Sequence, residues 1–299
     1  MPYIHSDAHN LYSLFYAVRR KLSEVTAAFW VDLEVYRALH DAQKDIAVKT
    51  KCLKRKVTVT TIASTQEYDL RTNSFADIIK IAEDGVYFYL NGTSYQPLIF
   101  KRISELNIEF PGWQGVSASV PKYYYYDKST KTIGLYPKPN SSNAGAYLFV
   151  TGYHKPKILH AGTAAAGSTT TITLDSGSST ENYPSATDDY YNDLYIEIYS
   201  GTGVGQKVKI TDYVASTKVC TATFSTAPST DSIYGMVPQI PEEAHYLMEL
   251  YALWKLFSKG GTRTVLANNF RDEYFSELNN FVSDFIEEDD EEILSETYR

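Results

Sequence analysis

Cysteine is nearly absent from this chain of 299 residues. The two that occur, Cys52 and Cys220, belong to no CxxC. That excludes a disulfide-stapled scaffold and a zinc ribbon, and it fits assembly in a reducing cytoplasm. Long apolar runs are missing too: none approaches the ~20 residues that a membrane-spanning helix needs. The opening residues, MPYIHSDAHN, lack the charged-then-apolar layout of a secretory signal. Positive charge is in short supply. Lys and Arg total 28 against 36 Asp and Glu, a formal charge of −8, so the net basic surface of a general nucleic-acid binder is not expected. Tyrosine is abundant: 26 residues, against three Trp and three Met. Its rigid ring and polar tip suit interfaces and half-exposed strands, although tyrosine is favoured on any β-rich surface.

The chain changes period twice, and its composition once between. Near the N-terminus, Leu11, Leu14, Phe15, Val18 and Leu22 recur at spacings of three and four, which predicts a helix that Ser6 or Asp7 could cap. After a break at TAAFW, Asp32 could cap a second helix with Leu33, Tyr36, Leu39, Gln43 and Ile46 on one face. It runs out in the basic cluster Lys49, Lys51, Lys54, Arg55 and Lys56. From Val57 the period falls to two, and short strands separated by turns predict a β-sandwich or small barrel. Between about 158 and 235 the composition turns to Gly, Ser, Thr and Ala, which reads as a small separate β module. Helix returns after Pro241, where Glu242 and Glu243 suit the positive end of the helix dipole. Leu247, Leu250, Tyr251, Trp254 and Phe257 form its stripe, and Gly260-Gly261 ends it. A last helix carries Leu266, Phe270, Tyr274, Leu278, Phe281 and Phe285, before an acidic tail.

The expected fold class is therefore α+β: a helical bundle built from both chain termini, a central antiparallel β-sandwich-like domain, and a second, inserted small β domain. The expected boundaries are 1–56 with 236–299 for the helices, 57–157 and 158–235 for the two β parts, and about 287–299 for the tail.

Candidate chemistry is sparse. IYSGTGVGQKVKITDY places Gly201, Gly203 and Gly205 before Lys207, as phosphate loops do. Yet a Rossmann fingerprint wants G-x-G-x-x-G opening a helix, and a P-loop wants Gly-Lys-Ser/Thr. Here Gln206 interrupts both patterns, and the flanks alternate with period two on each side. The prediction is a hairpin turn, with glycine supplying positive φ. Among the six histidines, His5 and His9 lie four apart around Asp7, but no HExxH or second cluster joins them. No G-x-S-x-G and no legible Cys-His pair occurs. No catalytic residue, metal or cofactor is expected. The basic cluster at 49–56 reads as a helix end or protein contact in preference to a DNA contact. Trp30, Trp254, Phe257 and Phe270 read first as core, although aromatics on more than one face of the 245–257 helix could also dock a partner.

Three segments resemble the head-to-tail adaptor (connector) proteins of tailed bacteriophages. FWVDLEVYRALHDAQKDIAVKT is similar to an adaptor helix ending in an Ala-Gln-x-x-Ile-Ala-like run. VPKYYYYDKSTKTIGLYPKP is similar to the Pro-x-Tyr-Tyr strand, turn and Leu-Tyr-Pro-x-Pro strand of that family. VPQIPEEAHYLMELYALWKLFSKGG is similar to its Ile-Pro-x-x-x-x-x-Leu helix. The intervening 158–235 resembles a small β module of phage virion proteins.

The resemblance implies a non-enzymatic virion protein of the neck, forming a ring of about twelve copies below the portal and extending the DNA channel toward tail or nozzle proteins. DNA would pass without sequence-specific binding, and an acidic lumen would avoid adhesion. Carried over from the family, portal contact falls to Trp254, Phe257, Phe270, Ile286, Ile293 and Leu294. Subunit or tail contact falls to Tyr123, Tyr124, Tyr125, Tyr126 and Tyr136. The alternative is a host- or glycan-recognition virion protein using its tyrosine-rich β regions.

Overall fold

In a computed structural model, the structure describes residues 10–285 apart from 25, 73–74, 91–93, 144, 179–180, 260 and 262, and apart from the side chains of 84, 90, 284 and 285. It is mixed α+β, with five helices and several antiparallel sheets. Contacts divide the chain into two compact units. Residues 51–155 form one, and residues 1–50 with 156–299 form the other.

The larger unit opens with α1 (Leu11–Lys21). The expected caps Ser6 and Asp7 lie outside the described residues. Asn10 caps the helix, its Oδ1 accepting the Ser13 N–H at 3.0 Å. Leu11, Leu14, Val18 and Leu22 are buried, as their spacing predicts. Helix α2 (Asp32–Thr50) follows the break. Asp32 sits inside its first turn and binds the buried guanidinium of Arg19, which also donates to the Trp30 carbonyl. The free Val31 N–H goes to Glu34 Oε2 instead, a reach-back from the first turn that satisfies one orphan donor.

The smaller unit starts earlier than the period change suggests, because β1 (Lys54–Thr60) takes in the end of the basic cluster. Then come β2 (Glu67–Asp69), β3 (Ile78–Leu90), β4 (Ser94–Pro97), β5 (Ile99–Phe100), α3 (Ile103–Glu109), β6 (Tyr123–Asp127), β7 (Thr132–Tyr136) and β8 (Tyr147–His154). They form two sheets, ordered β1-β8-β3-β4 and β2-β7-β6-β5. One core serves both: Val57, Val59, Phe88, Leu148 and Val150 from the first, and Tyr68, Tyr124, Ile133 and Leu135 from the second. The pairing is not wholly antiparallel, since β5 runs parallel to β6. The chain between them holds α3, and a crossover of that kind is what allows a parallel neighbour.

The larger unit resumes with β9 (Ala161–Thr163), β10 (Ala166–Gly167), β11 (Thr171–Thr173), β12 (Tyr195–Ser200), β13 (Lys207–Lys209), β14 (Asp212–Val214), β15 (Val219–Thr221) and β16 (Ile233–Met236). Their sheets are β13-β12-β16-β9 and β10-β11-β15-β14. This segment packs directly on helices. A Cβ at Gly235 would stand 2.7 Å from the Tyr12 backbone nitrogen, so only glycine lets β16 approach α1. Asn10 donates to Glu197 at 2.9 Å, and the Tyr12 and Tyr199 rings meet at 5.0 Å. Gln43 of α2, 1% exposed, ties both ends of the segment: its amide donates to the Lys157 carbonyl at 3.1 Å and accepts the Gln239 N–H at 2.8 Å. The sequence placed Gln43 on the buried stripe but could not show that it works as a clasp.

A 3-10 turn (Glu242–Ala244) precedes α4 (His245–Phe257), and α5 (Thr264–Phe285) follows. Trp30 Nε1 donates to the Leu256 carbonyl at 3.0 Å, and Tyr274 donates to Asp45 at 2.6 Å. These bonds tie α4 to the break before α2, and α5 to α2. Of the expected stop, Gly261 takes φ +68, while Gly260 lies outside the described residues.

Candidate interaction surfaces

The glycine turn is a hairpin. Strands β12 and β13 pair antiparallel from Tyr195/Lys209 to Glu197/Lys207. Gly201, Gly203 and Gly205 all take positive φ, at +83, +83 and +85. The donors of the turn face the protein itself. The Thr202 N–H and hydroxyl go to the Asp231 carboxylate, and the Gly205 N–H goes to the Ile198 carbonyl. Hydrogen bonds from Ser229 and Thr202 hold the Asp231 carboxyl below its usual range, so the Thr202 donors of the turn already serve a negative group of the chain itself. Gln206 bonds Gly203, Ser225 and Thr226, which explains why glutamine interrupts the motif.

The histidines are local fasteners. His40 bonds the Leu159 carbonyl, His245 the Ile240 carbonyl, His160 the Tyr234 hydroxyl, and His154 pairs with Asp77 at 3.3 Å. His5 and His9 lie outside the described residues. Among the described residues no three His, Cys, Asp or Glu gather as a metal site. Burial pushes the Cys220 thiol up to about 12, so it stays protonated. No helix among the described residues is long and apolar enough to cross a membrane.

Of the residues the resemblance assigns to portal contact, Phe257 is buried. Its ring stacks on Phe270 at 5.6 Å and meets Trp30 edge-on at 5.9 Å. Phe270 and Trp254 are half-buried, and Trp254 packs between Tyr251, Tyr274 and Phe275. Ile286, Ile293 and Leu294 lie outside the described residues.

The tyrosine strand β6 is covered on both faces. Tyr124 points into the core shared by the two sheets, and Tyr126 packs against it. Tyr125 and Tyr136 form a second small core with Leu106 and Trp113, under a lid made by α3 and the turn after it. Tyr125 also donates to Glu67 at 2.7 Å. Tyr123 is half-buried beside Phe110. The lid, around ISELNIEFPGWQG, was not read from the sequence, although its Ile103, Leu106 and Phe110 spacing is helical.

Aromatic surface is exposed elsewhere, on the outer face of β1-β8-β3-β4. In VYFYL, Val86 and Phe88 point inward while Tyr87 and Tyr89 point outward. In YLFV, Leu148 and Val150 point inward while Tyr147 and Phe149 point outward. Tyr95, Tyr89 and Tyr147 face one another across three neighbouring strands. Ring centroids lie 4.6 Å apart for Tyr95–Tyr89 and 6.5 Å for Tyr89–Tyr147. Tyr95 is 62% exposed and Tyr147 44%. Lys56 of β1 lies over the Phe149 ring at 3.8 Å. Strict alternation with aromatics in the polar phase was the available signal.

The two units also differ in charge. Residues 51–155 hold 13 Lys and Arg against 8 Asp and Glu, net +5, and the rest of the chain holds 15 against 28, net −13. The acidic total thus conceals a basic β unit.

Fold and surface together define a mixed α+β protein with an exposed aromatic sheet face. Residues 10–176, more than half of the chain, match the SU10 adaptor protein family. The chain belongs to that family and is a structural phage head-to-tail adaptor protein. The match covers α1, α2, the whole β unit and β9–β11, and ends short of the 237–261 segment on which part of the resemblance rests. No curated protein matches the chain.

Proposed function

We propose that copies of this chain form a closed ring, of about twelve subunits, between portal and tail at the neck of the virion, where the ring extends the DNA channel and gives the tail its docking platform. Membership of the adaptor family carries this reading. Assembly would take place in the host cytoplasm, and DNA would pass the lumen without sequence-specific contact. Portal contact would fall to the half-buried edges of Trp254 and Phe270 and to the segment holding Ile286, Ile293 and Leu294. Phe257 would act from inside by fixing α4 against α5. Of the β6–β7 tyrosines, Tyr123 and Tyr126 keep partly open surface for a subunit or tail contact, while Tyr124, Tyr125 and Tyr136 would support them from the core.

The test is electron microscopy of the protein with its portal, alongside a truncation before Ile286. A ring docked on the portal by full-length protein, with weakened attachment of the truncated form, is the expected result. Normal portal binding by the truncated protein would refute the assignment of the C-terminal segment, and the absence of any ring would refute the reading as a whole.

A further inference from the structure

The outer face of β1-β8-β3-β4 has a composition that the β unit does not need for folding. Its inward residues already build the core. Outward stand Tyr87, Tyr89, Tyr95, Tyr147 and Phe149, with Lys54 and Lys56 along the β1 edge. The outward positions Thr58, Thr60 and Thr151 are not acidic, and one exposed carboxylate, Glu83, stands in the bulge of β3 between Ile81 and Val86. Among the described residues neither lysine makes an ion pair; Lys56 lies on the Phe149 ring and Lys54 near Tyr153 at 6.0 Å. Tyrosine is enriched at the centres of protein interfaces, while charged side chains such as lysine belong to their polar rims.

Charge selects the partner. The unit that carries this face is net +5, and residues 156–285 of the same chain, with 8 Lys and Arg against 15 Asp and Glu, are net −7. A self-complementary dimer would place like-charged faces against each other. A head-to-tail contact places the basic face of one copy on the acidic unit of the next, and repetition of that step closes a ring. Duplex DNA fits the face less well. It offers no open ring surface for five aromatics, and a phosphate-tracking face needs more than two lysines. We infer that the aromatic, lysine-edged face of β1-β8-β3-β4 docks on the acidic part of a second copy of this chain, that copy's residues 156–285. The inference rests on the ring reading and names the contact that builds the ring.

The test is photo-crosslinking in the full chain assembled with its portal, with p-benzoylphenylalanine in place of Tyr147. The expected products join two copies, with the far end of the link inside residues 156–285. Lys54→Glu with Lys56→Glu should lower their yield about tenfold, since two attractive pairs become repulsive. Circular dichroism should show the double variant folded, because both lysines are exposed. Raising the salt from 0.05 to 0.5 M should weaken the wild-type link in the same direction, as the Debye length shortens. Rings that form while the crosslinks stay within one copy, or reach DNA or a tail protein, would overturn this inference and leave the ring reading standing. Rings unaffected by the double charge reversal would do the same. No ring at all would overturn both.

Discussion

Two histidines, His160 fully buried and His40 half-buried, make the larger unit sensitive to acid. His160 is fully buried, its Nδ1 accepting from the Tyr234 hydroxyl at 2.9 Å. Burial lowers its pKa to about 4; the Asn182 backbone and Asp175 pull upward, and His40 and Lys218 push further down. His40 is likewise lowered to about 4 by burial, against the Leu159 carbonyl and Asp41. In the unfolded chain both titrate near ~6.5. Above that value both are neutral in either state and cost nothing. As pH falls from about 6.5 toward 4, the unfolded chain takes up protons that the folded chain refuses, so stability is lost across that window. At pH 5 the loss is about 2 kcal/mol for each histidine, a large part of the roughly 5–15 kcal/mol that holds a typical domain. Carboxylates with lowered pKa, such as Asp231 and Asp193, respond only at lower pH, so the two effects separate. The assay is urea unfolding at pH 7.5 and 5.0 in a Trp113→Phe background, where Trp30 and Trp254 report the larger unit. His160→Gln keeps an acceptor for Tyr234 and removes the titration. Its loss between the two pH values should be smaller than that of the parent by about 2 kcal/mol. Equal losses, or a directly measured His160 pKa above 6, would refute the reasoning.

Gln43→Ala strips partners from the Lys157 carbonyl and the Gln239 N–H together, and should cost about 2–3 kcal/mol; hydrogen exchange should rise first at 157–160 and 236–240. Asp32→Ala leaves the buried Arg19 guanidinium without its carboxylate and should cost about 3 kcal/mol in urea unfolding, more than Asp32→Asn. Phe257→Ala should destabilise the larger unit by about 3–5 kcal/mol, while Trp254→Ala costs less, so portal binding by the two variants must be compared at equal folded fraction. Gly201→Ala forces a Cβ against the Asp231 carbonyl at positive φ and should lower thermal stability, whereas Lys207→Ala should leave both stability and nucleotide binding unchanged, the latter at background in both proteins.

Much of the local structure was legible because local rules govern it. The three-and-four spacing of Leu11, Leu14, Val18 and Leu22 locates α1, and alternation on both sides of Gly201–Gly205 identifies the hairpin. The cap at Asn10 was missed, because Ser6, Asp7 and Asn10 have the same capping chemistry and only packing chooses among them. The tyrosine run was read as a surface, yet α3 and Trp113 close over it. Period two tells which side chains share a face of a strand. It does not tell what lies above that face.

The sequence by itself determined the terminal helices and the β12–β13 hairpin, the adaptor resemblance and the failure of the glycine loop as a phosphate site, since these depend on residues close together in the chain. Tertiary structure alone decided which tyrosines are spent in cores and which stand in the open, and that Gln43 clasps both ends of the 158–235 segment. It also decided which charges belong together, so that a chain of net −8 contains a unit of net +5. The physical reason is one of range. Capping, turn geometry and periodicity act over a few residues, whereas burial and surface charge are set by partners a hundred or more positions away.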